Sequence, residues 1–147
     1  MSLMQLSLFV ENRPGQLRIP CEVLGRTGID LVTVSLADTA QFGILRIIVK
    51  DWRRAKSALE EAGFVVTPTE VLAVEVPDRP GGLASVLQRF EEENISVEYM
   101  YELGTGARGD AATLVFRVED AAAAAGRLRA RGVRLLERDE IFPGSGA

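Results

Sequence analysis

Asn12-Arg13-Pro14-Gly15-Gln16-Leu17 returns 66 residues later as Asp78-Arg79-Pro80-Gly81-Gly82-Leu83. Val10 and Ile29 keep that offset with Val76 and Ile95. Further on, Val49, Asp51, Ala55, Leu59 and Gly63 correspond to Val118, Asp120, Ala124, Leu128 and Gly132 at a spacing of 69. The three extra residues fall in the Gly-rich segment Gly104 to Gly109. A repeat at fixed spacing is the signature of a duplicated unit, here of about seventy residues. The chain of 147 residues is expected to divide into residues 1–69, residues 70–142 and a tail, 143–147.

Each copy reads strand, helix, strand, strand, helix, strand. Met4, Leu6, Leu8 and Val10 alternate with polar Gln5 and Ser7, the period of a strand with one buried face. Pro14-Gly15 is expected to open a helix, since proline suits a first helical turn. Leu17, Cys21 and Leu24 recur at helical spacing up to Gly25–Gly28. Leu31 to Ala37 and Phe42 to Val49 follow as strands around a turn at Asp38–Gln41. Asp51 can cap a second helix with its carboxylate, and Gly63 suits the position just beyond its end. Copy two repeats the plan. Leu72, Val74 and Val76 alternate, Leu83, Leu87 and Phe90 line a helix, and Val97–Leu103 with Leu114–Val118 make a hairpin. Asp120 caps a helix ending at Gly132, and Val133 to Arg138 is the last strand. A βαββαβ unit is α+β, the ferredoxin-like arrangement, with both helices on one face of an antiparallel sheet. Leu31, Val32, Val34 and Leu36 put apolar side chains on both faces of strand two, so the open face is expected to be covered. The two copies are expected to join sheet edges, which leaves a second chain as the candidate cover for the remainder.

Composition excludes several classes of function. The chain has no histidine and one cysteine. Ser-His-Asp and Cys-His catalytic units and HExxH zinc sites are therefore absent. An intrachain disulfide and a cysteine-only zinc site are absent as well. Neither a catalytic residue nor a metal or other cofactor site is expected. A net charge of −4 argues against nucleic acid, whose phosphates require a basic surface. No apolar run reaches the roughly 20 residues of a bilayer-spanning helix, so no membrane association is expected. The start of the chain lacks the basic region and cleavage site of a signal peptide, and Cys21 suits a reducing cytoplasm, where it reads as a small core side chain.

The repeated loop joins a strand end to a helix start. Exposed backbone N–H groups and the positive helix end suit an anion there. Gly15 and Gly81 lack a Cβ, which allows a ligand close to the backbone. Asn12 and Asp78 offer oxygens to an ammonium, so a zwitterion would fit. The same residues also start a helix with no ligand at all, and both readings stand at this point.

These twin strand-(Asn/Asp)-Arg-Pro-Gly-x-Leu-helix units, followed by Gly-Ile-Asp-Leu-Val at 28–32 and Asn-Ile-Ser-Val at 94–97, resemble ACT domains. ACT domains are small ligand-binding modules that sense amino acids in metabolic enzymes. The resemblance covers about residues 4–142, and the whole most resembles stand-alone tandem ACT proteins without a catalytic domain. It implies a sheet of order 4-1-3-2 in each unit, with pairing through strand two and helix one into eight strands. It also implies amino-acid binding at the interface between units. The loop positions of the family fall on Asn12, Arg13, Pro14, Gly15 and Leu17, and on Asp78, Arg79, Pro80, Gly81, Gly82 and Leu83. A second contact, from the start of strand two in a facing unit, falls on Asp30, Leu31 and Val32, and on Ser96, Val97 and Glu98. The expected function is a non-enzymatic amino-acid sensor, a homodimer that regulates a metabolic enzyme. The alternative is a subunit that docks on such an enzyme through its open sheet without a ligand of its own.

Three departures are visible. Pro20 is expected to bend helix one of the first copy. Gly82 in place of Gln16 is expected to loosen the second loop. Strand two begins with Asp30 in one copy and Ser96 in the other, so the two sites are not expected to be equivalent. Tyr99 and Tyr101, two apart on one strand, share a face. They are assigned to an interface, with closure over a ligand as the other reading. Gly104-Thr-Gly-Ala-Arg-Gly109 spells GxGxxG but precedes a strand, not the helix that a dinucleotide site needs, and is read as a hairpin loop.

Overall fold

The structure, a computed structural model, describes residues 3–38, 41–103 and 111–142. The chain separates into two compact units, Met4–Thr69 and Glu70–Ala147 with Met1–Leu3. The elements run β1 (Leu3–Glu11), α1 (Arg18–Arg26), β2 (Leu31–Asp38), β3 (Phe42–Val49), α2 (Trp52–Glu61), β4 (Val66–Pro77), α3 (Gly82–Glu92), β5 (Tyr99–Glu102), β6 (Ala111–Arg117), α4 (Ala121–Ala130) and α5 (Arg138–Ile141).

In the first unit the strands stand in the order β2-β3-β1. Both pairings are antiparallel, with Leu6 opposite Ile47 and Leu8 opposite Leu45, and Val34 opposite Ile47. Residues directly opposite share a face. Leu6, Leu8, Leu45 and Ile47 therefore form one apolar face, and they are buried with Val23 and Leu24 of α1 and Ala55 and Leu59 of α2. In the second unit the order is β4-β6-β5, and Val74, Val76 and Phe116 are buried with Val86 and Phe90 of α3 and Ala124 and Leu128 of α4. Phe90 and Phe116 meet with ring centroids 4.8 Å apart.

Two expectations about the sheet are corrected. There are six strands among the described residues, not eight. The last strand of the first copy and the first strand of the second are a single element, the 12-residue β4. Nothing in Val66–Pro77 turns the chain, and Pro68 lies within the strand, where proline is tolerated only if its position needs no ladder N–H. The last strand of the second copy is reduced to one bridge, Val74 to Leu135, because the chain turns at once into α5. That short helix, absent from the sequence reading, starts with a reciprocal cap between Glu137 and Glu140. Each unit keeps the 1-3-2 part of the expected 4-1-3-2 order without a separate fourth strand. Nor are β2 and β5 the joining strands that were expected. Each ends its own unit's order, paired on one side only, β2 with β3 and β5 with β6.

The second helices follow the expected caps. Asp51 Oδ1 accepts the Arg54 N–H at 3.2 Å, and Asp120 Oδ1 accepts that of Ala123 at 3.1 Å. The Gly104–Gly109 loop, the tail at 143–147 and the middle of the Asp38–Gln41 turn lie outside the described residues. Among the described residues no helix is long and apolar enough to cross a membrane.

Candidate functional site

The first loop leaves β1 at Glu11. Its backbone is tied by Asn12 N–H to Gln41 O (3.2 Å), Arg13 N–H to Glu11 O (2.9 Å) and Gln16 N–H to Arg13 O (3.2 Å). Gly15 takes φ +87, a left-handed conformation that costs a side-chain-bearing residue about 1 kcal/mol or more. A Cβ there would meet open space, so backbone geometry, and not crowding, demands glycine. The helix does not start at Pro14-Gly15 as expected. It begins at Arg18, with Leu17 at its N-cap and no side chain accepting from its first turn. The reason lies in Pro20, the third residue of α1. A helix starting two residues earlier would need the residue-20 N–H to bond Gln16 O, and proline has none. The expected bend is not required either. In the first turn that N–H has no helical partner to lose.

Asn12, Arg13, Pro14, Gly15 and Leu17 line one side of a cleft of about 520 Å³. Val10, Leu36, Ala37 and Gly43 line the other. The sequence reading missed these wall residues. Their signal was the apolar content of strand two on both faces. Leu36 and Val34 share the face of Leu45 and Ile47, yet each is about half exposed, since they stand on the end strand beyond the helices' reach. With Leu17 and Ile19, also exposed, they make an apolar edge. The cleft therefore reaches Leu17, the N-cap of a helix start without a side-chain cap, and joins it to an apolar wall. Arg13 does not face it as a free cation, since its Nε donates to Glu11 Oε2 at 2.7 Å.

The second loop is built differently. Arg79 N–H bonds Pro77 O at 3.0 Å, Gly82 N–H bonds Arg79 O at 2.9 Å and Ser85 N–H bonds Gly81 O at 3.0 Å. Gly81, at φ +83, is the N-cap of α3, again without a side-chain acceptor. Gly82 does not loosen this loop. It is buried, and a Cβ on it would lie 1.9 Å from Pro77 O. Glycine is what lets the helix start press onto the strand end. Leu83 packs against the core of its unit.

The strand-two residues do not join the loop of their own unit. Leu31 pairs with Val49, the end of β3 away from Gly43, and packs on the core, while Asp30 is exposed and Val32 half-buried. Ser96 and Glu98 line a separate cleft of about 250 Å³ with Asn94 and Arg127, and Val97 packs on its unit's core. Tyr99 and Tyr101 stack with centroids 6.5 Å apart, on the face of β5 that carries Val115 of β6.

A third cleft, about 360 Å³, lies in the second unit and is lined by Arg79, Arg89, Arg131, Arg134, Ser85 and Glu75, among others. Arg131 is held above the ordinary arginine value by its hydrogen bond to Glu93, and Arg134 by its bond to Glu140. Both stay charged at any ordinary pH. Among the described residues no three His, Cys, Asp or Glu side chains gather as a metal site.

Comparison with known proteins places this geometry. The family model described as an ACT domain pair matches residues 1–141. The structure of protein BT0572 from Bacteroides thetaiotaomicron is 36% identical over 97% of both chains, with a TM-score of 0.87. The ligand-free regulatory subunit of aspartate kinase from Thermus thermophilus aligns over 90% of this chain and 92% of its own at 16% identity and a TM-score of 0.67. The regulatory subunit of aspartate kinase from Thermus flavus aligns over 97% and 94% at 18% identity and a TM-score of 0.64. These last two likenesses speak to the fold. No curated protein matches the chain. With its repeated loop and helix caps and a family match over residues 1–141, the chain belongs to the ACT domain pair family.

Proposed function

We propose that the protein is a non-enzymatic sensor that binds an amino acid at the repeated loop and regulates a metabolic enzyme in the cytoplasm. The observation that carries this reading is the cleft of the first unit. An uncapped helix start offers N–H groups to a carboxylate, Asn12 offers its oxygen to an ammonium, and Val10, Leu17 and Leu36 offer an apolar wall to a side chain. ACT domain pairs are typical of amino-acid-sensing regulatory proteins. A second copy of the chain, seated against Leu17, Ile19, Val34 and Leu36, would bury that apolar edge and bring Asp30, Leu31 and Val32, or Ser96, Val97 and Glu98, within reach of a loop they do not meet in their own unit. Binding there would favour one arrangement of the copies over another, which a partner enzyme can read.

The test is a thermal melt of the full chain against each of the twenty amino acids. A ligand that binds the folded state raises the melting temperature by mass action, and one or a few amino acids are expected to do so. Leu36→Arg, on an exposed part of the cleft wall, should abolish the rise. A flat screen of folded protein rejects the reading.

One observation favours the second reading, a docking subunit without a ligand. Phe9, Phe42 and Val65 are exposed to 65%, 44% and 79% in the first unit, large apolar side chains that a partner would cover. The resemblance of fold to aspartate kinase regulatory subunits makes a metabolic enzyme the partner of choice. A flat amino-acid screen with an enzyme partner that is lost on Phe9→Ser would select this reading.

A further inference from the structure

The arginine cleft of the second unit shares no lining residue with the cleft of the first, and of the second copy of the repeated loop it takes in Arg79 alone. Four of its lining residues are arginines and one, Glu75, is acidic, in a protein whose net charge is −4. Three of the four guanidiniums have carboxylate partners. Arg89 pairs with Glu92 at 2.7 Å, Arg131 with Glu93 at 2.6 Å and Glu92 at 3.3 Å, and Arg134 with Glu140 at 2.5 Å and Glu75 at 3.3 Å. Arg79 is the exception. Its counterpart in the repeat, Arg13, is neutralised by Glu11 at 2.7 Å, but the counterpart of Glu11 is Pro77. Among the described residues the Arg79 side chain has no ion pair.

We propose that this cleft binds the phosphate group of a small-molecule ligand, anchored by Arg79. A guanidinium presents paired N–H donors in the spacing of two phosphate oxygens. A dianion with three free oxygens can answer several such forks at once, which a single carboxylate cannot. The glutamates that hold Arg89, Arg131 and Arg134 fix the forks in place. Those pairs are solvent-exposed and therefore weak, so an entering dianion can share or displace them. Pockets of roughly 300–1,000 Å³ hold small molecules, and a cleft of about 360 Å³ suits a phosphorylated metabolite better than the surface of a macromolecule. In the first unit the corresponding positions to Glu75, Ser85, Arg89 and Arg134 are Phe9, Ile19, Val23 and Val65, so the cationic cleft belongs to one copy alone.

The experiment is calorimetric titration of the full chain at low salt, where charge interactions are least screened, with inorganic phosphate, pyrophosphate and glutamate. Saturable binding of phosphate or pyrophosphate is expected, tighter than glutamate. Arg79→Ala should weaken it about tenfold, the loss of one charge-assisted contact. Arg53→Ala removes a cation that sits over Trp52 at 4.6 Å and should leave binding unchanged. Absence of saturable binding, equal affinity in Arg79→Ala, an equal loss in Arg53→Ala, or glutamate binding as tightly as phosphate would each overturn the proposal. Arg79 has no contact whose loss would unfold the protein, so the variant reads binding and not stability. The amino-acid reading is judged separately, by the Leu36→Arg melt.

Discussion

The two copies agree at most buried positions and disagree outside. Buried positions correspond closely: Leu59 with Leu128, Ala55 with Ala124, Val10 with Val76. The surface beside the loop does not. Where the first copy exposes Phe9, Ile19, Phe42 and Val65, the second has Glu75, Ser85, Ala111 and Arg134 along an arginine-lined cleft. The end strands differ in the same sense at one position, Leu36 in β2 against Glu102 in β5, while Val34 and Met100 are both exposed and apolar. The lesson is a division of labour. Packing holds the core positions fixed, since interiors are filled to crystal-like density, while the surface of each copy is free to take a different chemistry. An apolar cleft with an uncapped helix start and an arginine cleft are two different invitations on one backbone plan.

The comparison can be broken at three levels. Deepest is the shared core. Leu59→Ala and Leu128→Ala, both fully buried, should each cost about 4 kcal/mol in urea unfolding. A large difference between them would show that the copies do not pack alike. Next is the divergent loop. Gly82→Ala forces a Cβ against Pro77 O and should cost about 3 kcal/mol through overpacking, whereas Gln16→Ala at the equivalent position should cost almost nothing. If both were mild, the tight second loop would be wrong. Smallest is the shared cap. Asp51→Ala and Asp120→Ala should each cost about 1 kcal/mol, and equally, since each carboxylate accepts one first-turn N–H at nearly the same distance.

Much of the fold was legible because its signals are local. The alternation of Leu6, Leu8 and Val10 marks a half-buried strand, Asp51 and Asp120 mark helix starts, and Gly63 and Gly132 end those helices with the positive φ that their positions require. What escaped depends on the competition between neighbours. Pro20 delays α1 by forbidding one hydrogen bond four residues upstream. Gly82 looked like slack and is a point of closest approach, which only the position of Pro77 reveals. Val133–Arg138 carries a strand pattern, but the capping pair Glu137 and Glu140 draws its end into α5. At the loops, Asn12, Arg13, Pro14, Gly15 and Leu17 were legible as a group because they are consecutive. The walls Leu36 and Gly43 were not, since antiparallel pairing brings them there. The arginine cleft was invisible for the same reason. Arg79, Arg89, Arg131 and Arg134 are ordinary surface charges until the turns after β4 and α4 bring them to one place.

One consequence of β4 concerns parity. Val66 is buried in the core of the first unit, and Leu72, Val74 and Val76 in that of the second, all at even positions of a single uninterrupted strand. Side chains alternate along a strand, so one residue inserted between Val66 and Leu72 would put Val66 and the Leu72, Val74, Val76 set on opposite faces of β4 unless a bulge absorbed it. Inserting two would restore the shared face. Most duplicated proteins absorb such changes in a linker between copies. Here the boundary is itself a strand, so an odd insertion has to be taken up as a β-bulge.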